Sequence, residues 1–253
     1  MADAWDLSGR VVLVTGAGKG LGRGAALRLA AAGAKVLLVA RTRADLDSAV
    51  AAIEAAGGGA TALVADVTEE AAVAEAVRRA ERLGDLRGCV CAAGTNITGP
   101  AAAYPLEHWD ALFAVNVRAS FATARAAGAS MLRRGVEGAI VTLSSQMGVV
   151  GYPGRVAYCA TKHAVEGMTK ALAVEWGAQG VRVNAVAPTF VDTPMTKPMF
   201  EDETFRAEVM RRLPSERLAT VEEVAEAVFY LIADASRSTT GHVLRVDGGW
   251  TAW

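Results

Sequence analysis

An excess of charge of either sign is missing from this chain of 253 residues: 26 Lys and Arg stand against 27 Asp and Glu, a net charge of −1. Without a basic surplus there is no electrostatic footprint for nucleic acid or an anionic membrane, and neither is expected as a partner. Pairs such as Arg211-Arg212 are too short to make one and read as solvated helix faces. Also lacking is any apolar run near the roughly 18 residues that a membrane helix needs. The opening Met1-Ala2-Asp3-Ala4-Trp5-Asp6 has neither the basic region nor the apolar stretch of a signal peptide, so a cytoplasmic location is expected. Cysteine is scarce, with three in all. Cys89 and Cys91 alternate within an apolar run, which puts them on one face of a strand. With no His or Cys nearby in sequence they read as small buried hydrophobes, and no metal site is expected. Cys159 reads as a bystander beside Tyr158.

What the chain does have is apolar content. A hydrophobic fraction of 52% against 21% charged residues describes a packed globular protein. The length allows one large core or two small domains. No linker, repeat or break in composition divides it, and the Ala-Gly bias at residues 49–62 reads as helix filler plus a turn. A single domain over 1–253 is therefore expected.

Short apolar runs alternate with helical patterns. Val11-Val12-Leu13-Val14 leads into a helical stretch to Ala32, with Gly33 as its stop. Val36-Leu37-Leu38-Val39 precedes a helix that ends at Gly57-Gly58-Gly59. Ala62-Leu63-Val64 precedes a helix from Glu69 to Leu83, and Cys89-Val90-Cys91 makes a fourth strand. A long helical region from about Leu106 to Arg134 offers Gly128 as a place to break. Strands then follow at Ala139–Leu143, Arg182–Val186 and Val243–Val246. Strands that are apolar throughout belong to a parallel sheet covered on both faces. A (β/α)₈ barrel has the same length and alternation. The glycine loop after the first strand favours the α/β alternative, a Rossmann-type doubly wound parallel sheet of about seven strands with helices on both faces.

That loop is Thr15-Gly16-Ala17-Gly18-Lys19-Gly20-Leu21-Gly22. Gly16, Gly20 and Gly22 open a helix directly after a strand. Without Cβ atoms the backbone can turn tightly and approach a diphosphate, while the helix N-terminus favours the anion. The spacing Gly-x₃-Gly-x-Gly resembles that of the short-chain dehydrogenase/reductase family in its common form. The resemblance runs from Leu7-Ser8-Gly9-Arg10 to Val246-Asp247-Gly248-Gly249. It implies cofactor contacts from Leu21, from Asp66 and Val67 at the adenine, and from Ala93 and Gly94. Asp66 can equally cap a helix start beside Thr68. An acid at the end of the second strand would accept from the ribose hydroxyls and repel a 2′-phosphate. Here the strand ends Val39-Ala40-Arg41-Thr42-Arg43 with no acid, and Arg41 can stack on adenine or pair with a phosphate. Lys19 would add a second cation. NADP(H) is expected over NAD(H).

Tyr158 and Lys162 stand four apart, which puts them side by side on a helix. A tyrosine titrates near ~10 and is a poor base at neutral pH; a fixed ammonium beside it favours the phenolate. Such a tyrosine can exchange a proton with a carbonyl oxygen or hydroxyl while hydride moves to or from a nicotinamide. Ser145 follows the fifth strand, at the sheet end where open α/β proteins bind ligands, and its hydroxyl could hold the substrate oxygen. In the family the serine precedes the tyrosine by thirteen positions, the interval from Ser145 to Tyr158; Ser144 reads as a strand-end hydrogen bonder. Asn116 matches the family asparagine that positions the lysine and a water. Pro188 and Thr193, with Asn184, match further positions. The resemblance puts Thr193 and the backbone of Val191 at the nicotinamide carboxamide and implies a homotetramer. None of the three histidines matches a catalytic position.

Two departures from the family pattern stand out. Asn-Asn-Ala-Gly after the fourth strand is here Cys91-Ala92-Ala93-Gly94, and Thr189 follows Pro188 where glycine is usual. Substrate shape is expected from Gln146, Met147, Val150, Tyr152, Thr95, Asn96, Phe190, Met195, Met199 and Phe200, a mainly apolar set that suits a neutral ketone or secondary alcohol. Lys197 and Arg155 are the cations that could meet an acid group. Met195 to Phe205 reads as a lid with a helix that orders over bound cofactor. The expected function is an NADP(H)-dependent alcohol/ketone oxidoreductase acting on a small neutral carbonyl, sugar or polyol. The alternatives are a 3-oxoacyl-carrier-protein reductase, which would need a basic docking patch, and a non-catalytic NADP(H) sensor, which would not need Tyr158 and Lys162. An epimerase on this fold is disfavoured by the glycine spacing and the short chain.

Overall fold

The computed structural model describes residues 3–194 and 196–253. Its strands are β1 (Arg10–Thr15), β2 (Lys35–Ala40), β3 (Gly59–Val64), β4 (Asp85–Cys91), β5 (Gly138–Leu143), β6 (Val181–Pro188) and β7 (Val243–Val246). They form one seven-stranded sheet in the order β3-β2-β1-β4-β5-β6-β7, with every pairing parallel. The helices are α1 (Gly20–Ala31), α2 (Arg43–Ala55), α3 (Glu70–Leu83), α4 (Leu106–Phe113), α5 (Ser120–Arg134), α6 (Val156–Trp176), α7 (Glu203–Arg211) and α8 (Val221–Ile232).

Successive strand residues point to opposite faces, and here both faces are apolar. Val12, Val14, Val36, Leu38, Val90 and Val141 share a core with Leu29 of α1, Ile53 of α2, and Val224 and Phe229 of α8. Their neighbours Val11, Leu13, Leu37, Val39, Cys89 and Ile140 share the opposite core with Val77 of α3, Met131 of α5 and Trp176 of α6. This double burial is why the strands read as unbroken apolar runs. Arg10 also clamps the start of β1 to the turn after α8, with Nη1 and Nη2 donating to the two Asp234 carboxylate oxygens at 2.9 and 2.7 Å.

The long helical region is not broken at Gly128. A Cβ there would lie 2.6 Å from the Trp176 ring, so this glycine serves close helix packing and α5 runs through it. The departure from α geometry comes earlier, in a wide π turn at Ala114–Ala119 that carries Asn116; such turns recur at functional sites. No helix among the described residues is long and apolar enough to cross a membrane. The strand order reverses between β1 and β4, and a crevice at the carboxyl ends of those strands is where such sheets take ligands.

Candidate active site

The loop between β1 and α1 is shaped by contact. Gly16 has φ +66°, and a Cβ on it would sit 2.7 Å from the Ala92 carbonyl oxygen; a Cβ on Gly22 would sit 2.3 Å from the Gly16 oxygen. Lys19, the N-cap residue of α1, makes no side-chain cap bond, so the first amides of the helix remain available to an anion. The loop borders a cleft of about 780 Å³. Gly16, Lys19, Gly20, Leu21, Gly22, Arg41, Asp66, Val67, Ala93, Gly94, Pro188, Val191 and Thr193 all line it, and so do Ser145, Tyr158 and Lys162. A bare backbone at a helix N-terminus, an exposed arginine beyond β2 and this volume fit a phosphorylated dinucleotide.

Two cofactor residues behave differently from expectation. Lys19 is not a free second cation: its Nζ lies 3.2 Å from Asp45 Oδ2 in the same cleft. Arg41 makes no ion pair among the described residues. Asp66 Oδ1 accepts from the Thr68 amide at 2.9 Å and the Thr68 hydroxyl at 2.8 Å, and these bonds hold its carboxyl below the usual range. Asp66 therefore closes the turn before α3 rather than capping the helix itself. Where the two amides are absent after β4, Thr15 Oγ1 donates to the Val90 carbonyl and accepts from the Ala93 amide, both at 3.4 Å. Cys89 and Cys91 are buried with their sulfurs 4.0 Å apart.

Ser145 stands just beyond β5, and Tyr158 and Lys162 lie one turn apart on α6. The neighbouring Ser144 hydroxyl is engaged, donating to Glu166 Oε1 at 2.8 Å, whereas Ser145 faces both the cleft and the adjoining chamber. Lys162 Nζ donates to the Leu143 carbonyl at 2.7 Å and lies 5.4 Å from the Tyr158 ring centre. Burial draws the Lys162 ammonium down from 10.5 to about 8. Burial also raises the Tyr158 phenol above its ordinary value, while the Ser145 hydroxyl and the Arg155 guanidinium pull it back. The lowered phenol expected from the Tyr158–Lys162 pairing is therefore not found: burial outweighs the pull of Ser145 and Arg155. Asn116 Oδ1 accepts from the Thr95 amide, and its Nδ2 donates to the Thr95 carbonyl, each at 2.9 Å; Nδ2 also reaches Thr161 Oγ1 at 3.2 Å. It fastens the Gly94-Thr95 loop to the turn of α6 that carries Lys162, without touching Lys162 itself. Asn184 lies outside the site: it donates to the Thr239 carbonyl and accepts from the His242 amide.

A second chamber adjoins the cleft and shares Ser145, Tyr158, Thr189 and Thr196 with it. Of the residues expected to shape the substrate, Asn96, Gln146, Met147, Phe190 and Met199 line this chamber. Thr95 instead faces the cofactor cleft. Val150, Tyr152 and Phe200 pack in a cluster behind the chamber, with Phe190 edge-on to Tyr152, Phe200 and Phe205 at 5.9, 5.8 and 5.5 Å. These contacts seat Phe200 and Phe205, in the stretch read as a lid, against Phe190. Met195 lies outside the described residues. Sequence reasoning missed Thr196 and gave too little weight to Arg155, which is buried in the chamber wall; Lys197 is exposed outside it.

A family model described as "Enoyl-(Acyl carrier protein) reductase" matches residues 16–251. The chain is 38% identical over 250 residues to gluconate 5-dehydrogenase of Gluconobacter oxydans, covering 98% of this chain and 97% of that protein. It is 39% identical over 247 residues to human L-xylulose reductase, covering 97% and 98%. The crystal structure of a gluconate 5-dehydrogenase from Burkholderia cenocepacia, in complex with NADP and tartrate, superposes with a TM-score of 0.94 at 32% identity, covering 99% of each chain. Sheet order, glycine loop and relatives of matching length agree, and the chain belongs to the short-chain dehydrogenase/reductase family, oxidoreductases that act on CH–OH groups with NAD(P).

Proposed function

We propose that this chain, as a single domain, is an NADP(H)-dependent enzyme interconverting a secondary alcohol and a ketone on a small polyhydroxylated compound. The observation that carries the reading is the meeting of cleft and chamber at Ser145 and Tyr158. A group there lies against a hydroxyl and a phenol, in a cleft that runs on to the glycine loop. When bound, the cofactor supplies or accepts the hydride. Ser145 holds the substrate oxygen. Tyr158 gives its proton to that oxygen in reduction and takes it back in oxidation. Lys162 and Asn116 hold the floor and the rim of the site. Asn96 and Gln146 offer hydrogen bonds to further hydroxyls.

NADPH consumption by the purified protein tests this, against ketoses, keto-acids, simple ketones and acyl thioesters, with NADH in parallel. Turnover confined to acyl thioesters would instead favour the carrier-protein reductase reading, and tight NADPH binding with no turnover the sensor reading. Arg41 gives the cofactor preference its own test. Replacing it with Glu puts an acid where a 2′-phosphate would lie, so kcat/KM for NADPH should fall roughly 10- to 100-fold relative to that for NADH. An unmoved ratio would remove Arg41 from cofactor choice. A cytoplasmic homotetramer is part of the same reading. Exposed Phe121, Val156 and Val174 on α5 and α6 support assembly through that side, which light scattering on the eluted protein would check.

A further inference from the structure

Arg155 has no assigned part in proton transfer, and its surroundings are unusual for an arginine. It lies three residues before Tyr158, and only 6% of it is exposed. No carboxylate among the described residues pairs with it. One guanidinium nitrogen, Nη2, reaches the Met199 sulfur at 2.9 Å, a weak acceptor. A buried guanidinium is normally paired with an anion, because losing water without that compensation is costly.

The same chamber holds further unmet groups. Among the described residues, both amide atoms of Gln146, itself 1% exposed, have no partner, and neither do Thr189 Oγ1 and Asn96 Oδ1. Buried polar atoms are almost always satisfied. Several orphans around one chamber, with an unpaired cation among them, describe a site whose partners arrive with the ligand. The donor set defines that ligand. One planar fork of N–H groups suits a carboxylate, and the neutral amides and hydroxyl suit alcohol groups. A phosphate monoester, with nearly two charges, would call for a second cation, and Arg155 is the sole Lys or Arg among the described lining residues.

We propose that the substrate is an acidic sugar, a hydroxylated carboxylate of aldonate or keto-aldonate type, whose carboxylate is bound by Arg155 while its reacting carbon sits at Ser145 and Tyr158. The proposal rests on the oxidoreductase reading and names its substrate class. Resemblance does not decide the point, since the relatives are named for an acid and for a neutral sugar. Arg155 does. Its place beside Tyr158 adds a consequence: a bound carboxylate would offset the charge that now pulls the phenol down.

The test uses matched pairs that differ only at one end, each aldonate against its alditol: D-gluconate with D-glucitol, D-galactonate with galactitol, and D-xylonate with xylitol. Each is assayed by NADPH formation with wild type, Arg155→Met and Arg155→Lys. The acid member of the active pair should lead in kcat/KM, and Arg155→Met should lower the acid-to-neutral ratio roughly 10- to 100-fold, with Arg155→Lys between. A purely structural role would depress both members alike and leave the ratio unmoved, which overturns the proposal. A second readout needs no turnover. L-tartrate should raise the melting temperature of the NADPH-bound wild type, threitol should not, and Arg155→Met should abolish the difference. Absence of a selective tartrate shift also overturns it. Turnover restricted to neutral polyols would sink the acid site and keep the oxidoreductase reading. A selective tartrate shift with no turnover of any compound would keep the acid site and sink that reading.

Discussion

Tyr158→Phe should lower kcat by about two to four orders of magnitude while NADPH binding persists. The substitution removes one hydroxyl and leaves the ring against its neighbours, so the glycine loop, Arg41 and the helix amides are untouched. The expected pH behaviour follows from the phenol itself. Burial raises its pKa, and Ser145 and Arg155 only partly oppose that. Tyr158 is therefore protonated through neutral pH, ready to donate. Ketone reduction should hold a level kcat/KM there and fall only on the alkaline side, whereas alcohol oxidation, which needs the phenolate, should climb over that alkaline range. Parallel profiles in the two directions settle the matter. If reduction fell while oxidation failed to rise, the proton would be passing through another group.

The second large effect runs in opposite senses for activity and stability. Lys162→Met should abolish most turnover yet leave a firmer protein. The ammonium is 5% exposed, and its fall from 10.5 to about 8 corresponds to roughly 3 kcal/mol of cost for keeping it charged at neutral pH. Losing the charge-assisted bond to the Leu143 carbonyl removes about 2 kcal/mol. A net gain of about 1 kcal/mol, or roughly 2–4 °C in Tm, is expected for the cofactor-free variant at pH 7. Below pH 8 both folded and unfolded chains carry the proton, so the full cost is present. Between pH 8 and 10.5 the unfolded chain holds a proton that the folded one has released, and wild-type stability at this position rises with pH. The advantage of the variant should thus be largest at and below pH 8 and shrink towards pH 10.5. Thermal melts of both proteins at pH 7 and pH 10 measure it, and a gap that widened with pH would contradict the burial argument.

The fold was legible where burial on two faces writes itself as uninterrupted Val, Leu and Ile, and the glycine loop then chose between the sheet and the barrel. That Ser145, Tyr158, Lys162 and the cofactor-side residues would gather at one cleft was legible through the resemblance to the short-chain dehydrogenase/reductase family, since the Tyr–Lys spacing alone is common on helices. What stayed hidden depends on distance through space. Arg155 was legible as one of two cations that could meet an acid group, but nothing in sequence separates it from the exposed Lys197; its burial in a chamber wall with Phe190 and Met199 is a matter of folding. The Lys19–Asp45 pair joins the glycine loop to α2 and depends on how that helix is placed. The wide turn at Ala114–Ala119 leaves the surrounding apolar rhythm almost intact, so nothing marks it locally. One signal was present and unread: Thr220 and Glu223 form a reciprocal cap at the start of α8, the pattern of a helix N-terminus.

The core that pairs α1 with α8 also sets a timetable for synthesis. Val12, Val14 and Leu29 are translated early, yet they share their core with Val224, Phe229 and Ile232, roughly two hundred residues later. At about 5–20 residues per second, a ribosome takes on the order of ten to forty seconds to cover that interval. Throughout it, α1 and α2 are the only helices of that core already made, and the part of the face that α8 covers stays open. A chain halted before α8 therefore has the residues of the glycine loop but only part of the cover for the core beneath them, and its first half depends on its last helix.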